Sequence, residues 1–414
     1  MTAWSPVWQV SIDGGVYTQV TLANLSMASG RTDIYSQPVA GYASVELVNT
    51  NGADFSIDVN DSFTLQVKNS TGAYTSIFGG YVTDIDQSVK SAGSVGIVQT
   101  FKITALGALS KLPKTLTNGV LSKDFDGNQI YTILEPVFRN AWNEVAPTLD
   151  WADYTPANET WANAQNVGLG EIDQPGDYEL THRSSSETDV YSLISALAVS
   201  GLGYIYEDSF GRICYADASH RSQYLAANGY TELSASHAMA RGISTSRRIG
   251  DIRNKVSITH KSGSIHTAQD DTSIAVYGQQ AQNILTSIEK NADAIAQANF
   301  YLALRANPQS LFKSITFELT NPEIDDADRD ALLGAFMGLP LYIVDLPLNL
   351  VGGSFEGFVE GWSFNAGFNK LSITLNLSPA AFSLQFMKWS QVNAAETWNT
   401  LGATLEWIDA TIVA

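Results

Sequence analysis

Five histidines occur, His182, His220, His237, His260 and His266. None belongs to an HExxH run or stands at ligand spacing from another histidine and a carboxylate, so no metal site is expected. The run Asp326-x-Asp328-x-Asp330 starts like a calcium loop. Ala331 then replaces the turn glycine and Met337 the closing glutamate, so acids favoured by a helix N-terminus explain it better. Gly-x-Ser-x-Gly, a P-loop and GxGxxG are absent. The single cysteine, Cys214, stands between Ile213 and Tyr215, which suits packing rather than nucleophilic attack and leaves no disulfide framework. No catalytic residue, metal or cofactor is assigned.

A sugar-cleaving site is the strongest enzymatic rival. It needs two carboxylates flanking a glycosidic bond, often with aromatic platforms. Trp142, Trp151 and Trp161, interspersed with Asp150, Asp153 and Glu159, have the required types. The same tryptophans could hold a glycan or a partner without catalysis, or simply anchor a loop.

Composition narrows the classes. The chain has 414 residues, enough for two to four domains, and 44% hydrophobic residues, enough to bury a core. Asp and Glu number 42 against 23 Lys and Arg, a net charge of −19, which disfavours a broad grip on nucleic acid or anionic membrane. No basic leader precedes an apolar run at Met1–Pro6, and no apolar stretch reaches membrane-spanning length, so neither a secretory signal nor a membrane span is expected.

The elements follow from periodicity. Residues 1–112 read as short strands: Trp8, Val10 and Ile12 alternate with polar residues, Asp13-Gly14 signals a hairpin, and Phe63, Leu65 and Val67 repeat the period of two. Residues 113–240 mix types. A helix is expected through Ile130, Ile133, Leu134, Val137, Phe138 and Trp142, disturbed by Pro136. A long loop, about 147–180, comes next. Ser186-Glu187-Thr188-Asp189 reads as a capping box for a helix through Val190, Leu193, Ile194 and Leu197, and a hairpin follows Gly203. Residues 241–382 return to strands, with a long helix expected over Gln279–Leu304. Its stripe of Ile284, Ile288, Ile295 and Leu302 should be buried, with Gln282, Lys290 and Gln297 wetter. A shorter helix is expected over Asp326–Met337.

A weak duplication links the two β regions. Phe63–Val67, Gly80-Tyr81-Val82-Thr83-Asp84-Ile85 and Phe101–Leu106 occur in the same order as Leu339–Val344, Gly357-Phe358-Val359-Glu360-Gly361-Trp362 and Leu371–Asn376. Any two antiparallel meanders share some of this pattern.

The chain resembles the central hub proteins of phage tails, the baseplate-hub or tail-tip-hub proteins often labelled minor tail proteins in siphophages. Leu193–Arg221, ending Tyr215-Ala216-Asp217-Ala218-Ser219-His220-Arg221, carries part of the resemblance. Arg253-Asn254-Lys255-Val256, Tyr277-Gly278 before an Ala- and Gln-rich run, Gly361-Trp362-Ser363-Phe364, Leu371–Leu375 and Ser378-Pro379 carry the rest. The resemblance implies a mainly β fold with α+β insertions. Two similar β-barrel tube domains, 1–112 and 241–382, would flank an α+β middle domain, 113–240. It also implies a homotrimer whose six barrels form a pseudo-hexameric ring at the distal end of the tail tube. Tail-tube, tape-measure and tail-tip or fibre proteins would be partners. DNA would pass through without specific binding, helped by the acidic balance. The place would be the virion tail tip, after assembly in the host cytoplasm. The alternative is a receptor- or carbohydrate-binding module of the tip.

Residues 383–414 form a separate extension. Trp389, Trp398 and Trp407 recur at constant spacing, with Val392 and Leu401 three residues after the first two. At 3.6 residues per turn successive Trp would face opposite sides of one helix. Short hooks docking Trp389, Val392, Trp398, Leu401 and Trp407 on a neighbour explain the spacing better, although folding back onto the chain itself is open.

Overall fold

The computed structural model describes residues 4–52, 54–93, 96–138, 169–236, 245–246, 248–308, 311–312, 314–348, 352–367, 370–386 and 411–412. Alternation of apolar and polar residues is converted directly into strands with one buried face. Tyr42–Asn49, Ser62–Lys68 and Lys370–Pro379 each bury every second side chain over most of their length. The expected hairpin joins Trp8–Ile12 to Gly15–Tyr17. Asp13 and Gly14 both take positive φ there, 43° and 81°.

Both β regions belong to one open sheet of 12 strands. Tyr42–Asn49, Ser62–Lys68, Tyr74–Gly93 and Gly96–Leu106 lie side by side in the order first, fourth, third, second. Ser314–Glu318, Pro340–Val344, Phe355–Gly367 and Lys370–Pro379 repeat that order, again all antiparallel. The long third strand carries a β-bulge in each unit, between Val82 and Asp84 and between Val359 and Gly361. Thr83 and Glu360 therefore hold the same place in the repeated Gly-aromatic-Val motif. Each unit is followed by a 3-10 turn, Ala108–Lys114 and Ala380–Phe382. Shared strand order, bulge position and exit turn give the duplication a structural basis that letter matching alone lacked. The strand Val20–Gly30 pairs with Tyr42–Asn49 on one side and Phe355–Gly367 on the other, welding the units edge to edge. The fold is mainly β, and none of its sheets closes into a barrel among the described residues.

A second core lies beside this sheet. Helices Asp126–Phe138 and Val190–Ser200 cover the hairpin Tyr204–Glu207 and Ile213–Ala216. Lys255–His260, flanked by Ser264–Gln269 and Ala281–Leu285, and the helix Asn291–Arg305 share that core. Residues 314–379 instead share the core of the large sheet.

Several local expectations are corrected. The long helix over Gln279–Leu304 is a strand, Ala281–Leu285, and a separate helix, Asn291–Arg305. A four-residue apolar spacing fits a helix, but Ile284 lies opposite Ile258 in a parallel pair, where an open strand edge is satisfied. Ile288, between the two elements, is fully buried and bridges Leu180, whereas Ile295 is half-buried. Gln297 is fully buried rather than wet, its Nε2 donating to Ser200 O at 2.7 Å. The cap before Val190–Ser200 is Asp189, whose Oδ1 accepts from Ser192 N at 2.8 Å. Ser186 is too early, because Thr188–Asp189 stay extended to pair with Leu116–Thr117. The shorter helix ends at Leu333 rather than Met337, with Asp325 as its cap.

The different burial of the two isoleucines is testable. Ile288→Ala should lower the unfolding free energy by about 2–5 kcal/mol, and Ile295→Ala by about 1 kcal/mol or less. Denaturant titration measures both, and equal losses would place them in one packed stripe after all.

Candidate functional site

A charged residue breaks the apolar alternation of the strand Phe355–Gly367. Glu360 follows Phe358-Val359 at the bulge, where the extra residue turns its side chain into the interior. It retains no exposed surface, and two arginines from distant parts of the chain meet it. Arg31 Nε donates to Glu360 Oε2 at 2.7 Å. Arg221 Nη1 and Nη2 donate to Oε1 and Oε2 at 2.8 and 3.0 Å, a two-pronged pairing, and Ser378 Oγ adds 2.5 Å to Oε1. Tyr204 lies beneath both guanidinium groups, at 5.3 Å from Arg31 and 4.8 Å from Arg221. Burial pushes the Glu360 carboxyl up, but Arg221 and Arg31 outweigh it and hold it at about 2.

The backbone closes tightly here. Arg31 N donates to Glu360 O at 2.8 Å. Gly30, at φ +86°, faces Gly361 so closely that a Cβ on Gly30 would sit 2.5 Å from the Gly361 Cα. The junction thus ties the first β unit, the helix His220–Asn228 and the second β unit together.

The segment before that helix carries more titratable groups. Asp173 Oδ2 accepts from Asp217 N at 3.0 Å and contacts His220 Nδ1 at 2.8 Å. Asp217 Oδ1 accepts from Ser219 N and Oγ and from His220 N, at 2.9–3.0 Å. Burial opposes charge on His220, but contact with Asp173 outweighs it and raises its pKa. Burial together with the charges of Asp173 and Asp177 pushes Asp217 up to about 7. Glu171, Asp173 and His220 bring ligand atoms within 4.8 Å of one another, the kind of set that can hold a cation. The hydrogen bonds to Asp173 already explain its orientation.

Two further buried carboxyls are held by backbone and hydroxyl donors. Glu207 accepts from Gly41 N at 2.9 Å and Leu109 N at 2.6 Å, fastening the hairpin to the first β unit, and burial raises it to about 7. Asp126 accepts from Tyr178 N at 2.8 Å and from the Tyr215 hydroxyl, and burial raises it to about 6. Cys214 is buried and its thiol is pushed up, which suits a packing role.

The tryptophans singled out from sequence, Trp142, Trp151, Trp161, Trp389, Trp398 and Trp407, lie outside the described residues, as do Val392, Leu401, Asp150, Asp153, Glu159 and His237. His260 is buried on its strand and His266 lies opposite Ile258 on the neighbouring one. Residues that carry the family resemblance hold the architecture. Arg221, Gly361 and Ser378 build the junction. Asn254, fully buried, donates to Gly278 O at 2.8 Å and accepts from Gln280 N at 2.7 Å. Glu360 was missed, although an acid inside Phe358-Val359-Glu360-Gly361-Trp362 is a readable signal.

No family model matches the chain, and no curated protein matches it. Among solved structures it is similar to the 43 kDa tail protein of prophage MuSo2 from Shewanella oneidensis, with 11% identity and a TM-score of 0.53 over 90% of this chain and 98% of that one. It is also similar to a tail protein from Neisseria meningitidis MC58, with 10% identity and a TM-score of 0.55 over 92% of this chain and 98% of that one. At these identities the likeness is one of fold.

The buried carboxyls set opposite pH limbs. Glu360, held below its ordinary 4.5, contributes stability that is present above about 4.5 and lost as pH falls towards about 2. Glu207 and Asp217, raised to about 7, bind protons in the folded state, so stability declines as pH rises towards about 7. Glu360→Gln should cost about 3–5 kcal/mol by leaving two buried guanidiniums without their anion. Glu207→Gln should flatten the decline between pH 5 and 7. Denaturant titrations across pH read both, and an unchanged slope for Glu207→Gln would refute its raised pKa.

Proposed function

We propose that this chain is a structural subunit of a phage-type tail, acting as the hub at the distal end of the tube. The observation that carries the reading is the shared fold with two tail proteins over nearly the whole of all three chains. The duplicated four-stranded unit supports the finer version. Two equivalent units per chain let a threefold ring present six similar surfaces to a hexameric tube, so the proposed assembly is a homotrimer with paired tube domains. The welded strand Val20–Gly30 and the Glu360 junction would keep the two units at a constant angle, which such a ring requires.

Under this reading DNA passes through the ring and the net charge of −19 limits sticking to phosphates. Tail-tube and tape-measure proteins would meet one face and tip or fibre proteins the other. The extension 383–414 would dock a neighbour through Trp389, Trp398 and Trp407.

Mass measurement of the assembled tail tip should give three copies of the chain. Six copies, or a monomer bound to the particle, would overturn the ring. Removing residues 386–414 should leave a folded protein that fails to recruit its neighbour. Loss of folding on truncation would instead assign those tryptophans to the chain's own core.

A further inference from the structure

A cleft of about 150 Å³ opens where the loop after Arg31, the helix Asn291–Arg305 and the residues before Arg221 meet. Its walls carry Arg31, Arg221 and Arg305, with the rings of Tyr35, Tyr301 and Phe382. Tyr35 and Ser36 are exposed and form its mouth.

The three arginines are not equivalent. Arg31 and Arg221 are bound to Glu360. Arg305 is 94% buried, and no carboxylate among the described residues pairs with it. Its Nε is buried without a hydrogen-bond acceptor among the described residues. Three aromatic rings lie near the guanidinium, Tyr301 at 4.6 Å, Tyr35 at 5.2 Å and Phe382 at 5.7 Å. A guanidinium cannot shed its proton at ordinary pH, and its planar N–H groups suit a two-oxygen acceptor. Asp217, the one acid lining the cleft among the described residues, is turned to the N–H groups of Ser219 and His220 instead. In a chain with 42 acidic residues, a buried cation with no ion pair among the described residues stands out.

The size of the cleft limits what could supply the missing anion. About 150 Å³ holds a single six-membered ring and excludes a nucleotide. We propose that the cleft binds one small carboxylate with a compact aromatic or branched body, the carboxylate on Arg305 and the body among Tyr35, Tyr301 and Phe382. Two sources share that chemistry, a free carboxylate and the acidic side chain of a neighbouring tail subunit. Only the second source rests on the tail reading; binding by the isolated chain does not.

The probe is sodium benzoate added to the full-length chain, with sodium chloride at matched ionic strength and inorganic phosphate as comparisons. Benzoate should raise Tm saturably and shift one arginine Nε–Hε resonance, with chloride inert and phosphate weaker. Arg305→Gln should abolish both effects, and Arg305→Lys should weaken binding at least tenfold. Ile34→Trp, which fills the cleft without touching its charge, should also abolish binding and keeps the test decisive if the Arg305 variants fail to fold. No saturable response, or an equal response in Ile34→Trp, overturns the site. Benzoate that loosens assembled tails identifies a subunit side chain as the natural occupant. Binding that leaves assembly intact identifies a free ligand.

Discussion

Glu360 is a carboxylate with no exposed surface, and its charge survives only because Arg31 and Arg221 reach it. Ion pairs of this kind seldom add much net stability compared with a well-packed apolar core. Their physical consequence is conditional: once the carboxylate is buried, both guanidiniums must be in place. Arg31 follows the strand that joins the two β units, Arg221 starts the helix leaving the second core, and Glu360 sits within the second unit. One satisfied charge therefore makes the positions of three regions interdependent. Gly30 and Gly361 permit that geometry by letting two backbones approach where side chains would collide.

The duplicated unit shows how such a junction can arise from a plain sheet. In the first copy the bulge carries Thr83, whose hydroxyl bonds locally to Asp84 and to Thr104 O. In the second copy the same bulge carries Glu360 and points it at two arginines. The neighbouring aromatic positions also correspond. Lys111 lies 3.1 Å over Tyr81 in one copy, and Arg221 lies 5.0 Å over Phe358 in the other. Both copies thus place a cation on the motif's aromatic ring, but only the second couples it to a buried acid.

The second core is held by polar contacts at its edges as well as by apolar burial. Glu207 fastens it to the first unit through two backbone N–H groups. Gln297 and Ser287 both reach Ser200 at the end of a helix. Asn254 spans from a strand to the turn at Gly278. Each satisfies backbone groups that loops would otherwise leave unpaired in a dry environment.

Period-two alternation was legible in the sequence because each strand's buried face depends on its own residues, as in Trp8–Ile12, Ser62–Lys68 and Lys370–Pro379. Turn chemistry at Asp13-Gly14, the helix face of Val190, Leu193, Ile194 and Leu197, and the repeated Gly-aromatic-Val motif were legible for the same local reason. Other features depended on partners far away in the chain. Ile284 became a strand residue because Ile258, 26 positions earlier, offered an open edge. The start of the helix at Val190 was decided by the pairing of Thr188–Asp189 with Leu116–Thr117. Glu360 is 329 residues from Arg31 and 139 from Arg221, so no window along the sequence could pair them. The burial of Arg305 among rings from three segments was equally invisible. Local periodicity determines which face of an element is apolar, whereas the partner that neutralises a buried charge or completes a strand edge exists only once the chain has closed on itself.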